Sequence, residues 1–478
     1  MRIVIIGGAP TALGAAYRLN ELKKTHPDIT KDVELVVLEK ENVAGGLSTT
    51  VIDDKGFLWD MGGHVTFSHN APYYDAATKW AVKEWNSLER QCLVDMNYLY
   101  DIKGIKLVPY PAQYAVPFFP NDIKEDCIKD LNERHDNPKY DSIVPNNFAE
   151  WIDKHLGETI HKIFFKPYTK KVWTVETETM NPNWVGSRVA KLSKEKLESL
   201  CSIPSDQLTD ADFGWGPNAC FTFPKYGGTG AVWKGMAEKL NKEWFKYNHN
   251  VVAVNMKNKE VTYQVGQSTE LQKIKYDYLI NTAPIDQLVK QTNACSPLNI
   301  VYNKVYVVGV GLKLPMPPSC EKLTWLYFPD PNVPFFRVTF FSRYGEVTPD
   351  NTKYWSVMCE CATPIDYECD KEEMANRAVE GLILKDIIKR EQVETVFSIL
   401  LPYGYPIPSV ERDSELKRAH ESLEKNQIYS RGRFGGWKYE VSNQDHVFMQ
   451  GKEIIDRILL NEPEKMYKTG INYDRAEA

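Results

Sequence analysis

The chain has 478 residues, a net charge of −6 and a pI near 6.0, with 43% hydrophobic and 26% charged residues. That length suits two or three domains around a large core, and the acidic balance excludes a general nucleic-acid binder, which carries a basic stripe. No apolar run approaches the roughly 20 residues of a membrane span, so no membrane association is expected. The nine cysteines form no CxxC pair, and no histidine stands at zinc-finger spacing near Cys359, Cys361 and Cys369. They read as reduced thiols of a cytoplasmic protein, with no metal expected. The chain opens directly on strand residues, with no charged start or cleavable apolar stretch.

Arg2–Ile6 is a short apolar run ending in Gly7-Gly8-Ala9-Pro10-Thr11-Ala12-Leu13-Gly14. A helix over 15–24 and a strand over 33–38, closed by Glu39, complete a β-α-β unit. Such a unit sets a phosphate pair at the helix N-terminus, where unpaired N–H groups and the helix dipole favour negative charge. Glu39 is then placed to take ribose hydroxyls. The dinucleotide fingerprint positions hold Gly7, Ala9 and Ala12. The second of these normally needs glycine so that backbone can approach the pyrophosphate. Glu39 follows Gly7 by 32 residues, beyond the usual ~20. A polar surface insertion over 25–32 explains the excess.

Gly45-Gly46 comes next, then the stretch 59–69 containing Gly62-Gly63-His64. A glycine pair lets backbone lie close to a planar ligand, and His64 adds a polarisable ring. This loop is expected to face a flavin. Residues 70–85 read as a helix, and 98–114 as a hairpin about Lys103-Gly104. The patterns over 121–134, Phe148–Leu156, 159–165 and 187–200 are helical, with a polar loop over 135–147, and form a module inserted into the nucleotide-binding domain. A Gly- and aromatic-rich stretch over 215–229 leads into a helix over 230–245. Strands are expected over 251–256, Glu260–Val265 and 276–280, the last returning to the first sheet. Residues 301–312 and 322–361 are β-rich. Residues 372–389 read as an amphipathic helix, 393–400 as a strand, and 431–444 as a loop before a final helix over 446–460.

The acid at 39 followed by a glycine pair resembles the extended signature of glutathione-reductase-type FAD flavoproteins, in particular their amine-oxidase-like branch. Further segments sharpen this resemblance. They are Gly62-Gly63-His64-Val65-Thr66-Phe67-Ser68-His69, Val108-Pro109-Tyr110-Pro111, Lys166-Pro167-Tyr168-Thr169-Lys170-Lys171-Val172-Trp173 and Trp215-Gly216-Pro217-Asn218-Ala219. Gly227-Gly228-Thr229-Gly230, Trp325-Leu326-Tyr327-Phe328-Pro329, Gly404-Tyr405-Pro406 and Ser430-Arg431-Gly432-Arg433-Phe434-Gly435 follow, and Tyr439-Glu440-Val441-Ser442-Asn443-Gln444-Asp445-His446 closes the series. In this order and together, they make the chain similar to the eukaryotic-type UDP-galactopyranose mutases over nearly its whole length.

The resemblance implies an α/β fold with three parts. A Rossmann-like FAD-binding domain would take 1–95, 215–300 and 430–478. An inserted helical domain would take 115–205. An antiparallel β-sheet domain would take 96–114 and 301–429. The implied activity is interconversion of UDP-galactopyranose and UDP-galactofuranose. In that family N5 of reduced FAD attacks the anomeric carbon and displaces UDP, with no net redox change. NADPH or NADH is the implied reductant.

The resemblance also implies site residues. His64, Arg188 and Arg337 would be catalytic. Gly7, Pro10, Thr11, Glu39, Gly45, Gly46, Gly62, Gly63, His64, Val65, Arg433, Ser442, Asn443 and Gln444 would hold FAD. Phe67, Tyr110, Gln113, Phe164, Thr169, Trp173, Asn218, Trp325, Tyr327, Tyr405 and Tyr439 would bind substrate. Arg188 and Arg337 would clamp the diphosphate from a solvent-open cleft, guanidinium being suited to bidentate phosphate contacts. The final helix would aim its positive end at the pyrimidine edge of the flavin.

Departures from the family pattern stand at Ala9, Ala12, Ala112 and Thr169. Residues 94–100 also lack the Arg and Ser used around a nicotinamide. Two other readings compete. One is an oxidase of the amine-oxidase class, which has no need of paired arginines. The other is a nucleotide-sugar binder without a flavin.

Overall fold

The computed structural model describes residues 1–69, 71–186, 188–208, 213 and 219–470. Arg2–Ile6 is the central strand of a five-stranded sheet. The order is Ile428–Ser430, Tyr278–Asn281, Arg2–Ile6, Glu34–Leu38, Phe245–Lys246. Every pair is parallel. Side chains alternate between the two faces. Ile3 and Ile5 pack with Leu13, Ala16 and Phe448, from the helices Pro10–Thr25 and Gln444–Leu460. Val4 and Ile6 pack with Leu288, Leu416 and Leu423, from the helices Ile285–Thr292 and Arg412–Lys425. Both faces are thus covered, which is why Arg2–Ile6 is apolar without alternation.

The expected return strand lies at Tyr278–Asn281, paired with Arg2–Ile6. Two elements differ here. The helix expected over 70–85 is Pro72–Ala81, and Trp85–Glu89 pairs instead with Cys220–Pro224. The helix expected over 230–245 ends at Lys239, because Phe245–Lys246 leaves to become the sheet's edge strand.

A seven-stranded sheet forms the second layer system. Its order is Val393–Leu401, Lys304–Lys313, Tyr354–Thr363, Arg337–Thr339, Trp325–Tyr327, Cys92–Asp95, Leu107–Pro109. It is mixed rather than purely antiparallel, since Cys92–Asp95 runs parallel to Trp325–Tyr327. A parallel pair needs a long crossover, and the helical module between these strands supplies it. Cys92–Asp95 also falls before residue 96, where the sheet domain was expected to begin.

The hairpin expected over 98–114 pairs Leu93 with Pro109, and Asn97–Leu99 forms a helical turn. Asp95 explains the shift. Its Oδ1 accepts from the backbone N–H of Asn97 (3.1 Å) and Lys106 (2.9 Å), closing the loop between the strands. Its Oδ2 accepts from Lys385 Nζ at 2.6 Å, which also donates to Asp330 Oδ2 at 2.6 Å and Asn97 Oδ1 at 3.0 Å. Lys385 is buried.

The helical module contains Asn121–Asp136, Phe148–Leu156, Lys166–Trp173 and Lys194–Ser202. Helix over 187–200 was expected, but the observed helix begins after Ser193, whose Oγ accepts from Lys196 N at 3.2 Å. That cap stops the helix short of Arg188. His161–Phe165 is a π-helical turn rather than α-helix.

The chain end straps the first sheet. Glu464 pairs with fully buried Arg431, which also pairs with Glu424. Tyr467 OH donates to Gly436 O at 2.7 Å. Among the described residues, no helix is long and apolar enough to cross a membrane.

Candidate active site

Gly7 has φ +90°, and a Cβ there would meet Thr282 Oγ1 at 2.4 Å. Only glycine fits this turn. It feeds the helix Pro10–Thr25, whose N-terminus has no side-chain cap. Its first N–H groups therefore point unpaired into the space beyond. Glu39 closes the other side. Its Oε2 accepts from Gly8 N at 2.5 Å and its Oε1 from Glu41 N at 2.8 Å. Burial raises the Glu39 carboxyl above its usual value, against these two hydrogen bonds. Gly45 N donates to Gly8 O at 3.0 Å and holds the second glycine loop against the first. A Cβ on Gly46 would lie 3.0 Å from the Ala9 methyl. The bare Gly46 makes room for Ala9, so the departure at position 9 is absorbed across the loop.

The Gly62-Gly63 pair packs closely on residues of the second sheet, and Gly63 also borders the cavity described below. A Cβ on Gly62 would lie 2.9 Å from Glu360 Oε1, and one on Gly63 would lie 2.5 Å from Thr339 Oγ1. Behind the glycines sits the ion pair of Arg337 and Glu360, which face each other across adjacent strands. Arg337 Nε donates to Glu360 Oε2, and its second nitrogen donates to Oε1 at 2.8 Å. Gly63 N approaches Oε2 at 3.4 Å. Burial alone would lower Arg337, but Glu360 outweighs it and holds the guanidinium well above its usual value. Arg337 is thus part of the framework as well as of the cleft wall, which corrects the expectation of a purely solvent-facing clamp.

His64 lies beside this pair. Burial, opposed by Glu360 and reinforced by Arg337 and Arg433, lowers its imidazole to about 4. The ring is neutral at neutral pH, and its buried Nδ1 has no partner.

Arg188 donates to Asn443 Oδ1 at 2.9 Å and to the carbonyls of Tyr439 (3.1 Å) and Glu440 (3.0 Å). Its guanidinium lies 4.8 Å over the Tyr439 ring. Arg433 lies 5.0 Å over Tyr405 and donates to Ser442 Oγ at 3.0 Å. Burial lowers Arg433, and Arg188 lowers it further, so the two cations feel each other. The π turn supplies a fourth wall, as such turns often do at functional sites. Phe164 stacks on Tyr168 at 5.2 Å, Tyr168 meets Tyr327 edge-on at 5.5 Å, and Tyr327 lies 5.1 Å from Tyr110. Trp173 packs edge-on against Tyr439 at 4.7 Å and Tyr405 at 5.4 Å. Burial pushes the hydroxyls of Tyr110, Tyr168, Tyr327 and Tyr405 up, so they stay protonated donors.

The final helix Gln444–Leu460 begins at Asn443 without a side-chain cap. Its free N–H groups open on the same space. Asp445, in the first turn, accepts from His69 N (2.9 Å) and pairs with His69 Nδ1 (2.8 Å). His69, Asp445 and His446 bring donor atoms within 4.8 Å of one another. The two imidazoles lie stacked, 4.4 Å apart at 23°. Stacked rings aim their in-plane lone pairs side by side, so in this arrangement the trio supports the helix start rather than a metal.

All these parts line one cavity of about 1320 Å³. It runs from Gly7, Pro10, Thr11, Glu39 and Gly46 past Gly63, His64 and Val65 to the arginines and tyrosines. Phe67, Gln113, Thr169, Trp325, Ser442, Asn443 and Gln444 also border it. Gly45 and Gly62 shape its turns from behind. Asn218 lies outside the described residues. Gln113 spends its amide N–H on Ala190 O at 2.7 Å.

The sequence pattern of flavin-containing amine oxidoreductases matches residues 13–299. The chain belongs to that family. A crystal structure of reduced UDP-galactopyranose mutase is 34% identical, with 98% of this chain and 96% of that chain covered and a TM-score of 0.87. Two more distant structures show the shared fold. A protein from Exiguobacterium sp. 255-15, provisionally named a protoporphyrinogen oxidase, is 17% identical at a TM-score of 0.68, over 96% of this chain and 99% of that one. Cyclohexylamine oxidase from Brevibacterium oxydans IH-35A is 12% identical at a TM-score of 0.61, over 96% and 99%.

The residues present fit the flavin of the amine oxidoreductase family. The uncapped helix start, the bare Gly7 turn and buried Glu39 suit a pyrophosphate and ribose, and His64 borders the same cavity further along. Sequence reasoning missed Glu360, which sits between two cysteines of a β-rich run and belongs to no motif. It also left Tyr168 out of the expected site, although the residue lies in a quoted segment.

Proposed function

We propose that the chain interconverts UDP-galactopyranose and UDP-galactofuranose, using FAD in its reduced state. The observation that carries this is a cavity whose far end gathers Arg188, Arg337 and Arg433, the second paired with Glu360, among tyrosine hydroxyls. Uncompensated fixed positive charge of this kind suits a diphosphate. The full-length likeness to a UDP-galactopyranose mutase supports the same ligand.

Reduced flavin, when bound, supplies a nucleophile for the anomeric carbon without net redox change. The helix start at Pro10 and Glu39 hold the FAD pyrophosphate and ribose. His64, neutral by burial, would border the flavin without adding charge. Arg188 and Arg337 bind the sugar-nucleotide diphosphate, with Tyr327, Tyr405 and Tyr439 donating to its oxygens. Holding the diphosphate at both ends would orient the sugar and keep the leaving group for its return. Phe67, Tyr110, Phe164, Trp173 and Trp325 exclude water that would otherwise trap an opened sugar. Thr169 and Trp173 ride on the helix Lys166–Trp173, which borders the cavity and would close with substrate. NADPH or NADH serves as reductant.

An amine-oxidase-class activity suits an apolar cage and gives the arginines no task. Anaerobic incubation with UDP-galactofuranose and dithionite, read by chromatography, tests the proposal. Release of UDP-galactopyranose supports it. Unchanged substrate with fully reduced, FAD-loaded protein would overturn it.

A further inference from the structure

The cationic end of the cavity is not left at full charge. Glu360 is buried and forms a two-point ion pair with Arg337, whose strand lies opposite. It is also the acid that acts on Arg433. Asp445 borders the cavity too, where it accepts from His69 N and pairs with His69 Nδ1 at the start of the last helix. Among the described residues that border this end, the three guanidinium groups of Arg188, Arg337 and Arg433 outnumber the carboxylates of Glu360 and Asp445, so positive charge stays in excess but is held down. A sugar nucleotide with an esterified diphosphate carries two negative charges. Free UDP gains a third when its terminal phosphate loses its last proton, near pH ~6.

We propose that Glu360 is a specificity-determining residue that limits the charge of this site, matching it to the doubly charged sugar nucleotide and against triply charged free UDP. The inference rests on the UDP-sugar reading above. Its second effect is positional: the same carboxylate orients the Arg337 fork and contacts Gly63 N. A site that held the leaving group too strongly would slow its return to the sugar and its release. Glu360 costs ground-state attraction and keeps the diphosphate exchangeable. A purely structural acid would change stability without altering the preference between the two ligands.

The test compares wild type with Glu360→Gln, both as oxidised FAD-loaded protein, by calorimetric titration with UDP and with UDP-galactose. Glutamine keeps the shape and an acceptor for Arg337 while removing the charge. UDP should bind the variant roughly tenfold more tightly or better near pH ~7.5, the scale of one unit charge a few ångströms away. UDP-galactose should gain less. The effect should fade near pH ~5.5, where UDP has two charges. Over this range His64 and His446 stay neutral, their values lying near 4. Burial keeps Tyr110, Tyr168, Tyr327 and Tyr405 protonated, Glu360 holds Arg337 above its usual value in the wild type, and His69 with Asp445 is common to both proteins.

Wild type alone gives a second measure: its preference for UDP over UDP-galactose should not rise between those two pH values. Equal or weaker UDP binding by a flavin-loaded variant would overturn the proposal. So would a wild-type preference for UDP that grows with its third charge. Absence of UDP-galactose binding or turnover in wild type would instead defeat the function proposed above, so the two failures are distinguishable.

Discussion

Gly14 and Gly451 meet where the first and last long helices cross. A Cβ on Gly14 would lie 2.1 Å from the Phe448 carbonyl oxygen, and one on Gly451 would lie 1.8 Å from that of Thr11. The close approach of the two helices is thus made at Gly14, two residues after the third fingerprint position, with a partner more than 400 residues away. Gly451→Ala should force the helices apart and cost about 1–3 kcal/mol or more. Because Thr11 borders the phosphate cradle, flavin content should fall with stability. Absorbance of the purified variant and its thermal midpoint check both.

Arg188 and Arg337 should separate on mutation. Arg188→Ala removes hydrogen bonds to one side chain and two carbonyls at a partly exposed site. It should lower kcat/KM by roughly ten- to a hundredfold, from about 1.5–3 kcal/mol of lost charge-assisted contact, with little change in midpoint. Arg337→Ala should lose activity comparably and also strand buried Glu360, at about 3–5 kcal/mol. A paired change, Arg337→Met with Glu360→Gln, should recover most of the stability and none of the activity. Thermal melts beside dithionite assays read this out. Equal midpoints for both single variants would sink the distinction.

Much of the first sheet was legible because its signals are local. A buried apolar run, a glycine turn and an acid at the end of the next strand define it, and Tyr278–Asn281 repeats the pattern. The helix Arg412–Lys425 was not among the expected elements, although Leu416, Ala419 and Leu423 recur at helical spacing. The hairpin at 92–109 was misread because its register depends on Asp95, whose partners Lys106 and Lys385 are distant in sequence. The π turn at His161–Phe165 leaves no trace in a pattern read at 3.6 residues per turn. Most expected site residues reached the cavity through family segments rather than physical derivation. Glu360 belonged to no segment, and only strand pairing reveals it opposite Arg337.

His64 predicts an acid-side loss of stability. Its folded value near 4 lies below the unfolded ~6.5. Above pH ~6.5 both states are neutral and nothing changes. As pH falls toward 4 the unfolded chain takes the proton first, so stability drops, by on the order of 3 kcal/mol in full. Asp60, buried and raised to about 7, acts with the opposite sign. Comparing wild type with His64→Asn cancels that term. The stability difference between them should shift against wild type by about 2 kcal/mol from pH ~7 to ~5 in urea titrations with saturating FAD. A difference independent of pH would mean His64 is not held neutral by the fold.

Lys385→Met should be among the most damaging changes far from the cavity. It leaves Asp95 and Asp330 buried without their shared cation. The expected cost is about 3–5 kcal/mol, seen as a lowered denaturant midpoint. Flavin absorbance of the folded fraction should stay normal, because neither acid borders the cavity.

The parallel sheet draws its strands from residues 2–6, 34–38, 245–246, 278–281 and 428–430, and Gly14 waits for Gly451. During synthesis at roughly 5–20 residues per second, more than 400 residues separate the phosphate loop from its packing partner, a delay of about 20–90 s. The nascent β-α-β unit therefore emerges with one helix face bare, and the cofactor should be captured only once the helix carrying Gly451 has been made. Flavin supply at that moment, more than affinity in the finished protein, should govern the yield of loaded enzyme. A fragment ending at residue 299, where the family match stops, should remain colourless however much FAD is added.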